Sequence, residues 1–441
     1  MIILKKLHKI LMLSLLVIYS NAYAKIQPKV FTTPQGITII LLKDITTDLV
    51  SVSMAFKGAG SKTDPKDQTG LAFITAQMLW RNSSDNLDRN QRNRKVKELG
   101  VINGIKYNLD QDNLAIKFKC PEENLLQVMN IISGIITNSN LENEELSKLK
   151  NFDNTIRLET TPELDFANYV LDNKIFSGHP YSIPITGSPN SIQTLSLKNI
   201  KTVIKDHLAK NNLILSIVGN LEQNKISQLV DQTFATLPEK AKLKATMPAV
   251  PQLDGSLQTI IKDSPQSGVA FALNAPNIHS KDFYPVLILN RIFGDPFTGR
   301  LFSEIRDKHG LVYQIGSSLE VRELSSLLIG YFKCDNKNLQ KTINLVKQEI
   351  KKLQMHGATE QELIDAKSGA IGEFALNFIT TEQTSEYLLW YHLLGRNMLD
   401  LTNRNHEINA VTLEQVNKAA SKYLNLDELT MILVGNPQEN T

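Results

Sequence analysis

The chain resembles itself. Phe118-Lys119-Cys120, followed by PEENL, returns 214 residues later as Phe332-Lys333-Cys334 followed by DNKNL. NEELSKLK around Leu146 returns as EQELIDAK around Leu363, at an offset of 217. Leu195-Ser196-Leu197 answers Val411-Thr412-Leu413, and LSIVGN ending at Asn220 answers MILVGN ending at Asn436, both at 216. Four matches in the same order at a nearly constant spacing mark a tandem of two similar halves. That duplication limits the fold: whatever one half builds, the other builds again.

Each half reads as mixed strands and helices. Val50, Val52, Met54 and Phe56 alternate with Ser51, Ser53, Ala55 and Lys57, and Leu114, Ile116, Phe118 and Cys120 alternate likewise. This is the period of strands with one buried face. Leu125, Val128, Met129, Ile132, Ile135 and Ile136 fall at helical spacing; in the second half Val269, Phe271 and Leu273 alternate, and helical patterns follow at 282–293 and 336–354. The expected fold class is α+β, each half a largely antiparallel sheet with helices packed on one face. Residues 238–257, with Pro238, Pro248, Pro251 and Gly255 and no apolar period, read as a linker between domains at 25–237 and 258–441.

The first 24 residues read differently. Lys5, Lys6 and Lys9 precede an apolar run over 10–19 and then Ala22-Tyr23-Ala24, the pattern of a secretory signal peptide rather than of a membrane anchor. Without them the chain has 45 basic and 45 acidic residues, a balance that draws it to neither nucleic acid nor an anionic membrane. No later stretch spans a membrane, so the expected location is exported, periplasmic in a Gram-negative cell. Cys120 and Cys334 occupy equivalent positions in the two halves, which points to a shared buried strand end rather than to a bridge between them.

The common signatures of serine hydrolases, nucleotide binders and dithiol redox proteins are missing, and no two of the eight histidines stand three or four apart. No helix can therefore present a histidine pair to a metal. GAGSKTDPKDQTGLA leading into a helix, the turn Gly178-His179-Pro180-Tyr181, the VGN strand ends and LFSEIRDKHGLVY together resemble the pitrilysin/insulinase family of zinc peptidases, in its processing-peptidase-like bacterial branch. The likeness spans nearly the whole chain after residue 24.

In active members of that family the helix after G-L-A carries H-x-x-E-H, two histidines that bind zinc and a glutamate that activates water. Aligned on Gly70-Leu71-Ala72, this chain has Phe73, Ala76 and Gln77 there. The family's third ligand would fall at Asp153 or Asn154. No metal is expected in this chain, and TGLAFITAQMLW reads as a helix buried in a core. His179 reads as a turn former, and Gly294-Asp295-Pro296-Phe297-Thr298-Gly299 as a turn where relatives carry a glycine-rich loop that touches substrate.

The second half keeps a different motif. Relatives without the zinc motif carry R-x-K-x-G-L-x-Y, and this chain has Arg306, Lys308, Gly310, Leu311 and Tyr313 in that spacing. The resemblance implies that Arg306 and Tyr313 bind substrate at the catalytic site of a partner subunit, the guanidinium holding a carbonyl or carboxylate and the phenol an oxyanion. Gly310 is expected to end the helix before a strand bearing Tyr313. By itself the segment also reads as an ordinary solvated helix face, with Glu304 and Lys308 four apart.

The expected function is that of a noncatalytic subunit of an exported zinc metalloendopeptidase, forming a heterodimer with a homologous zinc-bearing subunit and holding unfolded peptide. The alternatives are a stand-alone peptide-binding or scaffold protein of the cell envelope, and a zinc peptidase with unusual ligands.

Overall fold

A computed structural model describes residues 27–85, 87–151 and 156–437. The expected signal segment at 1–24 and the positions of Asp153 and Asn154 lie outside the described residues. The first half forms a six-stranded sheet in the order Lys29–Thr32, Thr38–Lys43, Leu213–Gly219, Leu49–Lys57, Asn113–Pro121, Lys106–Leu109. All neighbours are antiparallel except Thr38–Lys43 beside Leu213–Gly219. The second half forms a five-stranded sheet, Val312–Val321, Ser326–Asp335, Gln266–Asn274, Thr430–Gly435, Leu257–Ile261, with only the last pair parallel. The five strands of the second sheet repeat the order and directions of five in the first, as the sequence offset requires, and the first sheet adds Lys29–Thr32 at one edge.

One face of each sheet carries helices of its own half. Val50, Val52, Met54 and Phe56 pack with Val128, Met129, Ile132 and Ile135 of the Leu125–Thr137 helix and with Ile226 and Val230 of Gln223–Thr233. In the second half Val269, Phe271 and Leu273 meet the helices Phe283–Gly294, Leu339–His356 and Leu413–Tyr423.

The opposite faces are not solvated, contrary to the half-buried strands that the alternation predicts. The Glu163–Ile175 helix of the first half lies on the second sheet, where Ala167, Leu171 and Ile175 pack on Ala270, Ala272, Ile432 and Val434. The Thr381–Leu393 helix of the second half lies on the first sheet, its Leu388 and Leu389 against Ile40, Ala55 and Ile214. The polar or small partners in the alternation are therefore spacers. Ser51 and Ser53 are buried and meet Thr381 and Ser385 through hydroxyl pairs at 2.7 and 2.8 Å. Gly268 lets Glu163–Ile175 approach so closely that an added Cβ would stand 2.5 Å from the Leu164 nitrogen. A strand whose alternate residues are Ser, Ala and Gly leaves room for a helix, which is why period two alone did not distinguish water from a second layer.

Residues 241–256 form no helix or strand. They are pinned across both halves, the Ala249 N–H donating to the Leu324 carbonyl (3.0 Å) and the Gln252 N–H to that of Ile175 (2.7 Å). Cys120 and Cys334 are free and buried at equivalent strand ends, as expected. Among the described residues no helix is long and apolar enough to cross a membrane.

Candidate functional site

The helix expected after Gly70 runs over Leu71–Arg81. Its start is tightly built. Gly70 adopts φ +86°, open to glycine at little cost, and its backbone crosses that of Gly187, where an added Cβ would stand 2.2 Å from the Thr69 carbonyl oxygen. Asp64 accepts from the N–H groups of Gly70 and Ala72, each at 2.9 Å, and so satisfies the helix N-terminus. Burial pushes its carboxyl up to about 7, against the opposing pull of the Ala72, Gly70 and Leu71 N–H groups.

Leu71, Ala72, Ile74, Thr75, Ala76, Met78 and Leu79 are buried, while Phe73, Gln77 and Trp80 form the less buried stripe. Phe73 packs beside Ile74, Leu146 and Leu149, and Ala76 enters the core of the first sheet. Gln77 accepts from Arg81 Nε at 3.3 Å. Phenyl, methyl and carboxamide thus stand at the three positions where the family's ligands and base would be. The Thr75 hydroxyl is buried without a hydrogen-bond partner, but one neutral oxygen is not a ligand set. Among the described residues no three His, Cys, Asp or Glu side chains group to hold a metal, so the residues present do not fit zinc.

The same helix backs a strand that lines a cavity. Trp80 stacks on Tyr107 at 5.0 Å between ring centroids, and Tyr107 belongs to Lys106–Leu109, whose outer edge has no neighbouring strand among the described residues. Beside that edge lies a cavity of about 970 Å³. Tyr107, Asn108 and the 110–113 turn line it from the first half, with Tyr169, Asp172 and the 181–186 loop; Glu320–Glu323 and Leu389, Trp390 and Leu393 line it from the second.

Its wall is a charge network joining the halves. Lys62, with only 6% of its side chain exposed, lies 2.8 Å from Asp112 and also pairs with Glu323. Asp112 accepts from the Tyr181 hydroxyl at 2.6 Å and from the Glu323 N–H at 3.3 Å. Arg322 donates to both oxygens of Asp172 (3.0 and 2.9 Å) and to Gln111 (3.2 Å), and lies over the rings of Phe176 and Tyr181. Burial raises the pKa of Asp172, and Arg322 draws it back down. His179, expected to shape a turn, does so by accepting from the Tyr181 N–H at 3.1 Å.

Arg306 and Tyr313 come together elsewhere and do not line this cavity, nor do Phe73, Ala76 or Gln77. Arg306 lies on a π-helical segment, Phe302–Lys308, that ends at Gly310 with φ +61°. Tyr313, second in the Val312–Val321 strand, sits at a bulge where the register steps from Val312 to Gln314, so its ring points out and is 78% exposed. The guanidinium sits 4.6 Å from the centroid of Phe302 and 5.5 Å from that of Tyr313.

Residues 38–185 match the family described as Insulinase (Peptidase family M16), and residues 194–370 match Peptidase M16 inactive domain. The chain belongs to peptidase family M16. It is similar to the uncharacterized zinc protease YmxG of Bacillus subtilis, at 22% identity over 90% of this chain and 96% of that one. It is also similar to the non-peptidase homolog YmxG of Helicobacter pylori, at 23% identity over 88% and 89%. A peptidase M16 inactive domain from Pseudomonas fluorescens shares the fold with a TM-score of 0.84, at 20% identity over 93% and 98% of the two chains. A chain of Complex III2 from Candida albicans shares it at 0.73, with 17% identity over 92% and 95%. With Phe73, Ala76 and Gln77 on its zinc helix, this chain is an inactive M16 homologue.

Sequence reasoning missed the open edge at Lys106–Leu109, the Lys62–Asp112–Glu323 node and Trp390. The edge is four residues long, too short for a period to show. The node's charges stand far apart in sequence and look like solvated surface until the 322–325 turn brings them together.

Proposed function

We propose that this M16 chain is the noncatalytic, peptide-binding subunit of an exported zinc metalloendopeptidase, with zinc held by a homologous partner subunit. The observation that carries the reading is an intact zinc-type helix with no ligand chemistry, set beside an open sheet edge and a cavity. An extended peptide adds to such an edge through main-chain hydrogen bonds, which makes recognition tolerant of sequence. Arg306 and Tyr313 present a guanidinium and a phenol at the surface, where they meet the peptide against the partner's catalytic site. In that assembly zinc held by the partner would supply Lewis-acid polarisation of the scissile carbonyl. This chain orients the peptide, and the Tyr313 hydroxyl donates a hydrogen bond.

The edge and cavity are complete within one chain, and this favours as a second reading a stand-alone peptide-binding or scaffold protein of the cell envelope. Purification from the native source separates the two. A stable one-to-one complex with a zinc-bearing homologue supports the first, and a monomer or homodimer without metal supports the second. Within the complex, Arg306→Ala or Tyr313→Phe is expected to lower peptide cleavage about tenfold or more with assembly unchanged. Unchanged cleavage removes the role given to those residues. One tightly held zinc ion with proteolysis by the isolated chain overturns both readings.

A further inference from the structure

The second sheet lacks one strand that the first has. In the first half Lys29–Thr32 covers the outer edge of Thr38–Lys43, pairing antiparallel with Phe31 opposite Ile39 and Lys29 opposite Leu41. Leu257–Ile261 takes the place of Thr38–Lys43 in the second half. Each runs parallel to the last strand of its half, and the Lys262 N–H donates to the Gly435 carbonyl as the Asp44 N–H donates to that of Gly219. Ile39 and Leu41 thus correspond to Leu257 and Thr259, and Lys43 to Ile261. Among the described residues no strand pairs with the outer edge of Leu257–Ile261.

That edge is laid out for a partner. The Met431 N–H donates to the Ser256 carbonyl and the Lys262 N–H to that of Gly435, so the backbone groups of the even-numbered residues face Thr430–Gly435 and those of Leu257, Thr259 and Ile261 point outward. Ile260 packs on the layer of the Glu163–Ile175 helix, so the side chains of Leu257, Thr259 and Ile261 share the opposite face, where Leu257 is 39% and Ile261 58% exposed. Ile39, under its covering strand, is fully buried. The run LQTII has neither a proline nor a lysine to discourage pairing, whereas Lys29–Thr32 begins with a lysine and lies between Pro28 and Pro34.

We propose that this edge docks a second copy of the chain, two Leu257–Ile261 strands pairing antiparallel about a twofold axis at Thr259. The second copy is the occupant because the strand is self-complementary: its two exposed apolar residues stand symmetrically on either side of Thr259. Leu257 of each copy then faces Ile261 of the other, Thr259 faces its own equivalent, and the N–H and C=O groups of all three outward residues are satisfied. None of these residues lines the cavity, so the pairing leaves it free whether or not a zinc-bearing partner is present. A pairing this short buries less than a standard interface, so the dimer is reversible.

Sedimentation velocity of the purified protein over a dilution series tests it. A monomer–dimer equilibrium is expected, and Ile261→Lys is expected to raise the concentration of half-association about tenfold or more with the thermal midpoint unchanged. Under oxidising conditions Thr259→Cys is expected to give a disulfide-linked dimer, since facing residues of a hydrogen-bonded pair stand about 5.5 Å apart at Cα. Gln258→Cys is expected to give none, because it faces Ile260 of the other copy, and the native Cys120 and Cys334 are buried. A protein that stays monomeric at every concentration, a dimer indifferent to Ile261→Lys, or one that links at 258 as readily as at 259 overturns the inference.

Discussion

Replacing Lys62 with methionine tests how the halves are joined. The ammonium is 6% exposed, and its two partners, Asp112 and Glu323, have 12% and 27% of their side chains exposed. Methionine keeps the volume and removes the charge, leaving two carboxylates facing each other with little water. Breaking a buried pair in this way costs about 3–5 kcal/mol, mostly the penalty of the stranded charges. The Tyr181 hydroxyl and the Glu323 N–H still solvate Asp112, and Lys57 remains 3.7 Å from the Glu323 carboxylate, which places the expected loss toward the lower end of that range. Urea unfolding followed by circular dichroism reads it as a lower midpoint at unchanged slope. Glu323→Gln in the Lys62→Met background should recover part of the loss, since it neutralises one stranded carboxylate, and this coupling separates electrostatics from packing. Lys43→Met, at a pair with 50% and 75% of its side chains exposed, should leave the midpoint where it is. A loss below about 1 kcal/mol for Lys62→Met, the size of an exposed pair, would refute the claim that this node holds the halves together.

Gly70→Ala should lower stability by about 1–3 kcal/mol, because φ is +86° and the new Cβ would stand 2.6 Å from the Thr186 oxygen; an unchanged thermal midpoint sinks that account. Asp64 links stability to pH. Its carboxyl moves from 3.8 in the open chain up to about 7 in the fold, so its protonated form is favoured by folding and its contribution is lost as pH rises from about 4 through about 7. Asp64→Asn should flatten stability across that window, and an unaltered pH profile shows the assignment to be mistaken. Burial pushes the Cys120 and Cys334 thiols up to about 12 and about 11, so a thiol reagent at pH 8 should label neither in the folded protein and both after unfolding. Rapid labelling of the native chain contradicts this.

Much of the fold was legible because it occurs twice. The repeat offset set the equivalence of the sheets, and the strands at Val50, Leu114 and Val269 and the helices after Glu122 and Asn336 fall where their periods place them. The exchange of helices was not legible. Nothing in ELDFANYVLDNKI says which sheet it will cover, since an apolar stripe fits any apolar face. Ser51, Ser53, Ala270 and Ala272 carry the only trace, being small where a solvated strand would carry larger polar groups. At the candidate site the absence of metal ligands at Phe73, Ala76 and Gln77 was visible in the sequence. The stacking of Arg306 was not, because it depends on a π-helical turn and a bulge that side-chain pattern does not encode.

The crossed-over helices also impose a schedule on synthesis. The first sheet has all its strands once Gly219 has emerged, yet the Thr381–Leu393 helix that covers its inner face arrives about 170 residues later. At ribosomal speeds of roughly 5–20 residues per second, that apolar surface stays bare for on the order of 10–35 seconds. Through that interval the first half must keep an apolar sheet face out of chance contacts, whatever its finished form later binds.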